Sequence, residues 1–246
     1  MRHKGMLCAI VCALLACAGH GATAQALTEP VTTYLQSKAA TARPGVEYRK
    51  DIATLQTRLD SMDAADIALL DRIIAHCSSW QRPGLRVISV ADVHEYEAYM
   101  AAHDDGQPTE WIDLSCANAL QMRGFAAAAQ RQWSEALAWL DQAIALGPYL
   151  FSAYTERGYA LRNLGRTDEA LATYRQALAL ADVSPRARAG RAIALRGIGS
   201  LLIDTPDKAG ARAALQQSLE LEPGNAVALH ELQYLDQMEA AASQAH

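Results

Sequence analysis

Between Ala117 and Asp182 the chain states one pattern twice, and this repetition limits the available folds more than any other feature. A shift of 34 residues lays Gly124 on Gly158, Arg123 on Arg157, Ala126 on Ala160, Glu135 on Glu169 and Ala136 on Ala170. Leu137, Ala138, Gln142, Ala143, Ala145 and Leu146 fall likewise on Leu171, Ala172, Gln176, Ala177, Ala179 and Leu180. Self-similarity at a fixed period marks a repeat architecture, and a period near 34 is that of two antiparallel helices per unit. Both copies are rich in Ala, Leu, Arg and Gln, which favour helix.

The second copy breaks at Asn163–Asp168, where Gly165 supplies a helix-ending conformation and Thr167 or Asp168 is expected to cap the next helix. The first copy turns the same corner with Gln130–Ser134 and no glycine. Gly124 with Ala136, and Gly158 with Ala170, are expected where paired helices cross, because interaxial distance depends on the contacting side chains. Leu140 and Tyr174 are expected farther along, where the helices splay.

Leu120, Gly124, Ala136, Leu140, Ala143 and Pro148 in one copy, and Tyr154, Gly158, Leu161, Ala170, Tyr174 and Ala177 in the other, resemble the tetratricopeptide repeat signature. Arg123 and Arg157 depart from it where leucine precedes the glycine, and Asp182 stands where proline is usual. The resemblance implies an all-α solenoid of antiparallel helix pairs whose first helices line a concave, peptide-binding surface. Gln121, Phe125, Tyr159, Arg162, Asn163 and Arg196 would fall on it.

A third copy needs a shift of 41, which lays Ala211 on Ala170, Gly199 on Gly158 and Leu202 on Leu161. Seven extra residues are two helical turns, so one continuous helix over Pro185–Ile203 is expected. Thr205 then caps the next helix with Pro206 at its start, and Asn225 caps a last helix to about Ala241. Glu231, Gln233, Asp236, Gln237 and Glu239 give that helix the wet face a solenoid terminus requires.

Residues 1–26 read as a signal peptide: a basic start, an apolar run over Met6–Ala18, and small residues at Ala22–Ala26. Its removal takes Arg2 and Lys4 but no acidic residue, so the net charge of −5 becomes −7. Leu14–Leu15–Ala16–Cys17 resembles a lipoprotein cleavage box. A soluble periplasmic or secreted product is therefore the expectation and an outer-membrane lipoprotein lipidated at Cys17 the alternative. With a sequence pI near 5.8, the composition argues against a general nucleic-acid binder.

Residues 27–110 form an N-terminal helical region capping the repeats of 111–246. Val46–Met62 and Ala64–Cys77 read as amphipathic helices, the second from Ile67, Leu70, Ile73 and Ile74 on one face. Leu85–Val90 is open to two readings, a short strand or, with Ser89 as cap, the approach to a helix over Val90–His103. An exported chain meets oxidising conditions, so Cys77 and Cys116 are expected to pair and tie this region to the first repeat. Two buried free thiols are the alternative.

No chemistry announces itself. His94 and His103 are nine residues apart, on opposite faces of a helix, and His94–Ala98 lacks the second histidine of a metalloprotease helix. Gly197–Ser200 lies in a helical pattern, not on a nucleophile elbow. No catalytic residue, metal or cofactor is therefore expected, and a hydrolase built on the N-terminal region would need a pocket with perturbed acids. The expectation is a non-enzymatic scaffold for a protein or peptide partner in the bacterial envelope. The alternative is a lipid-anchored outer-membrane assembly factor for a pilus, secretion or envelope complex. Eight arginines between Arg157 and Arg196 oppose Asp168, Glu169 and Asp182 alone, which points to an acidic or C-terminal peptide ligand, with solvated faces of good helix formers as the alternative. Gln121 and Phe125 stand where the carboxylate clamp of chaperone-binding relatives has lysine and asparagine.

Overall fold

The helix pairs are built on glycines that admit a neighbour's side chain. A computed structural model describes residues 43–244, so the expected signal peptide and Cys17 lie outside the described residues. The first pair is α4 (Leu114–Ala129) and α5 (Trp133–Leu146), and the second is α6 (Phe151–Asn163) and α7 (Thr167–Val183). The third is α8 (Pro185–Arg188) with α9 (Arg191–Leu202), facing α10 (Lys208–Leu221), and α11 (Ala226–Gln244) closes the row. A Cβ on Gly124 would lie 2.6 Å from Leu140 Cγ, one on Gly158 2.8 Å from the Tyr174 ring, and one on Gly199 2.5 Å from Leu215 Cγ. Leu140 and Tyr174 thus sit directly on the glycines, not where the helices splay. Tyr174 also meets Gly197 of α9, where a Cβ would be 2.4 Å from Cζ, so its ring fills a slot between two first helices. Burial there pushes its hydroxyl up to about 12.

Alanine is ordinarily the better helix former. Gly158→Ala should nevertheless lower stability by about 1–3 kcal/mol through overpacking, and Gly158→Leu by more. Urea unfolding tests this, and two variants that unfold with the parent would remove the glycine–tyrosine contact as the reason for the residue.

The two inter-helix corners are equivalent in backbone but not in sequence. Gly165 has φ 72°, and Arg131, 34 positions earlier, adopts φ 59°. A left-handed conformation costs a non-glycine residue about 1–2 kcal/mol, partly offset in a glycine variant by the freer unfolded chain. Arg131→Gly should therefore raise stability by about 0.5–1 kcal/mol, read as a higher urea midpoint at unchanged slope. A lower midpoint would mean that Arg131 makes up its strain through its contacts.

Several local expectations are corrected. Helix α7 begins after Arg166, not at a Thr167 or Asp168 cap. The Arg166 carbonyl accepts from Ala170 N, and its guanidinium binds Glu169 in two bonds of 2.6 Å. The continuous helix over Pro185–Ile203 is broken at Ala189–Gly190, because the Phe151 ring lies on Gly190, where a Cβ would be 2.0 Å away. Asp207, not Thr205, caps α10 by accepting from Gly210 N at 2.8 Å. Thr205 instead donates to Leu202 O. Asn225 does cap α11, accepting from Ala228 N at 3.2 Å.

The N-terminal region departs further from an all-helical reading. Val46–Met62 is two 3-10 turns around a short helix, α1 (Arg49–Gln56). Helix α2 (Ala64–Ser78) follows, with a capping box between Asp63 and Asp66. Then β1 (Arg86–Ser89), α3 (Val93–Ala102) and β2 (Thr109–Ile112) form a crossover unit, the strands pairing in parallel from Arg86 with Thr109 to Ser89 with Ile112. Parallel strands require such a crossover, here made by α3. Asp92, not Ser89, caps α3, and Ser89 is buried, donating to Asp113 O at 2.6 Å. Several links fasten this region to the repeats, among them Arg123 donating to Asp71 at 2.6 Å. Cys77 and Cys116 are joined, with Cα atoms 5.8 Å apart, between α2 and α4. Glu95, buried on α3, accepts from Ser184 Oγ at 2.6 Å just beyond α7. Among the described residues no helix is long and apolar enough to cross a membrane.

Candidate binding groove

First helices make one side of the row. Helix α4 contacts α6, α6 contacts α9, and α9 contacts α11, while α5, α7 and α10 pack against them as partners. Repeat register carries over to the side chains that remain exposed. Phe125 and Tyr159 are 34 residues apart, as are Ile193 and Val227, and as are exposed Tyr234 and its buried counterpart Ser200. Tyr159, Ile193, Val227 and Tyr234 are 45–56% exposed, whereas Phe125 is half-buried. Tyr159 also meets Trp133 edge to face at 5.8 Å between ring centres.

The six residues expected on this surface divide. Phe125 and Tyr159 present apolar faces, and Arg162 is exposed in the last turn of α6. Asn163 is exposed but turns back, donating to Tyr159 O at 2.9 Å. Gln121 is buried, and its Nε2 donates to Glu156 Oε1 across the α4–α6 junction. Arg196 is the correction: its guanidinium lies inside the third pair, 2.6 Å from Glu222 Oε2 and 3.2 Å from Ser218 Oγ of α10. Position on a first helix put it in the right row, but a long side chain beside Glu222 folds toward its pair mate.

The basic island is likewise partly engaged. Arg157 donates to Asp141 at 2.7 Å and Thr173 at 2.6 Å, and Arg188 caps α7 by donating to Ala181 O at 3.1 Å. With Arg166 and Arg196 also paired, the exposed members outside these bonds are Arg162, Arg175, Arg186 and Arg191. Half of the island that favoured an acidic ligand is thus engaged within the chain.

Sequence reasoning passed over Glu156. Its Oε1 takes the Gln121 bond, while Oε2 is shielded from solvent with no hydrogen-bond partner. Burial pushes its carboxyl up to about 8, with the Gln121 bond acting in the opposite sense. A signal was present: Glu156 precedes Tyr159 by three residues as Glu231 precedes Tyr234. Glu231 occupies the matching junction, accepting from Ser200 Oγ of α9 at 3.1 Å. Among the described residues no three His, Cys, Asp or Glu side chains converge as metal ligands.

Comparison with known proteins agrees with this geometry. Residues 149–222 match the tetratricopeptide repeat family model. No curated protein matches the chain. Among solved structures, the first repeat domain of Spaghetti (RPAP3) bound to an HSP90 peptide is 25% identical, with TM-score 0.46, covering 50% of this chain and 93% of that one. The Arabidopsis OM64 repeat domain is 21% identical at TM-score 0.45, covering 50% and 95%. YrrB, a repeat protein with an unusual peptide-binding site, is 19% identical at TM-score 0.42, covering 81% and 97%. The matched residues run from the start of α6 through α10, and over that stretch the chain is similar to the tetratricopeptide repeat family.

Proposed function

We propose that this chain is a non-enzymatic scaffold of the bacterial cell envelope that binds an extended peptide segment of a partner protein along its first helices. The observation that carries the reading is the recurrence of exposed Tyr159, Ile193, Val227 and Tyr234 at repeat positions on one row of helices. Single exposed apolar side chains are ordinary, whereas exposed apolar area repeated along one surface marks an interaction site. Export is supported by the basic start and apolar run of residues 1–26, and by the Cys77–Cys116 bond, which belongs to an oxidising compartment. Intact mass of the mature protein distinguishes cleavage near Ala24 from lipidation at Cys17.

Aromatic anchors dominate such interfaces, so one of them should matter more than its area suggests. Tyr159→Ala with Arg162→Ala should weaken binding of a partner captured from envelope extract at least tenfold, with an unchanged melting temperature. A partner held equally tightly by the double variant would contradict the reading.

A further inference from the structure

Glu156 has one carboxylate oxygen satisfied by Gln121 and one, Oε2, removed from solvent without any partner. The residue as a whole is only partly buried, and Tyr159, one turn on, is half exposed, so Glu156 lies at the edge of the first-helix surface with Oε2 just beneath it. A desolvated carboxylate without a partner is costly unless it is protonated or meets a cation. Arg157, its nearest basic neighbour in sequence, is turned to Asp141 and Thr173.

Resting on the groove reading above, we propose that Glu156 is its specificity-determining residue. Its Oε2 receives the ammonium or guanidinium of a lysine or arginine in the bound peptide, whose apolar neighbours lie on Phe125 and Tyr159. Gln121 holds the carboxylate by its other oxygen, so the acceptor is oriented before the ligand arrives. Part of the desolvation that opposes a buried ion pair is already present in the unbound protein, which favours the cation over a neutral side chain. Unbound Glu156 holds its proton up to about pH 8 and releases it as the cation arrives, an exchange that an incoming Asp or Glu does not allow.

The test is a positional-scanning library of heptapeptides with acetylated and amidated ends, so that the only cations are side chains. With the parent protein, Lys or Arg should be selected at one position at least tenfold over norleucine, flanked by apolar preferences. Glu156→Gln should bring that position near parity while the apolar preferences persist, and Glu156→Asp should keep a reduced basic preference. Selection of Asp, Glu or norleucine by the parent overturns the proposal, as does a basic preference that Glu156→Gln leaves unchanged. Enrichment at no position overturns the groove reading itself, and this assignment with it.

Discussion

Replacing Cys77 and Cys116 together with alanine should lower stability by about 4 kcal/mol. The bond closes 39 residues, and the chain-entropy relation gives about that stabilisation for a loop of this length. The loop contains α3 and both strands, so the bond restricts in the unfolded chain the segment that must form a crossover in the folded one. Urea unfolding of parent and double variant measures the difference. A loss under ~1 kcal/mol would mean that burial of Leu70 and Ile73 against α4 already holds α2 in place without the bond.

The second large effect is a pH dependence carried by Glu156. Its folded carboxyl is pushed up to about 8 by burial, from an ordinary value of 4.5. Between those values the folded state keeps a proton that the unfolded state has released. Stability therefore falls as pH rises through that window, and the loss is complete above about 8. Each unit of displacement is worth about 1.4 kcal/mol, so the whole effect reaches several kcal/mol. Glu156→Gln mimics the neutral acid, keeps an acceptor for Gln121 and has nothing to ionise. Relative to the parent it should gain several kcal/mol between pH 5 and pH 8.5 in urea unfolding. Parallel pH profiles for the two proteins would show that the carboxyl does not carry the dependence.

The repeat itself was legible because its glycines and alanines recur at fixed intervals, and packing in a helix pair depends on where small residues fall. Asn225 was legible for a similar reason, since a cap acts within one turn. The crossover unit was legible only in part, as a strand in one reading of Leu85–Val90 and a helix in the other, over Val90–His103. Thr109–Ile112 is four residues long, and strand pairing with Arg86–Ser89 is a contact that no local pattern reports. The break at Gly190 has the same character, because its cause is Phe151, almost 40 positions away. First-helix position placed Phe125, Tyr159 and Arg162 on α4 and α6, where Tyr159 and Arg162 are exposed. It misjudged Arg196, whose direction is set by Glu222 on another helix. Glu156 went unnoticed because a glutamate in a helix ordinarily faces water, and only the α4–α6 junction takes it out of solvent.

The central claim is that the row of first helices is the surface a partner covers. It is tested most directly by placing a photo-cross-linking phenylalanine derivative at one position at a time in the full chain. Tyr159 and Val227 report on the first-helix row, and Ala172 on α7 and Gln216 on α10, both exposed, report on the second helices. Irradiation in envelope extract should give one shared partner adduct from positions 159 and 227 and none from 172 and 216. Adducts from 172 and 216 alone would contradict the account.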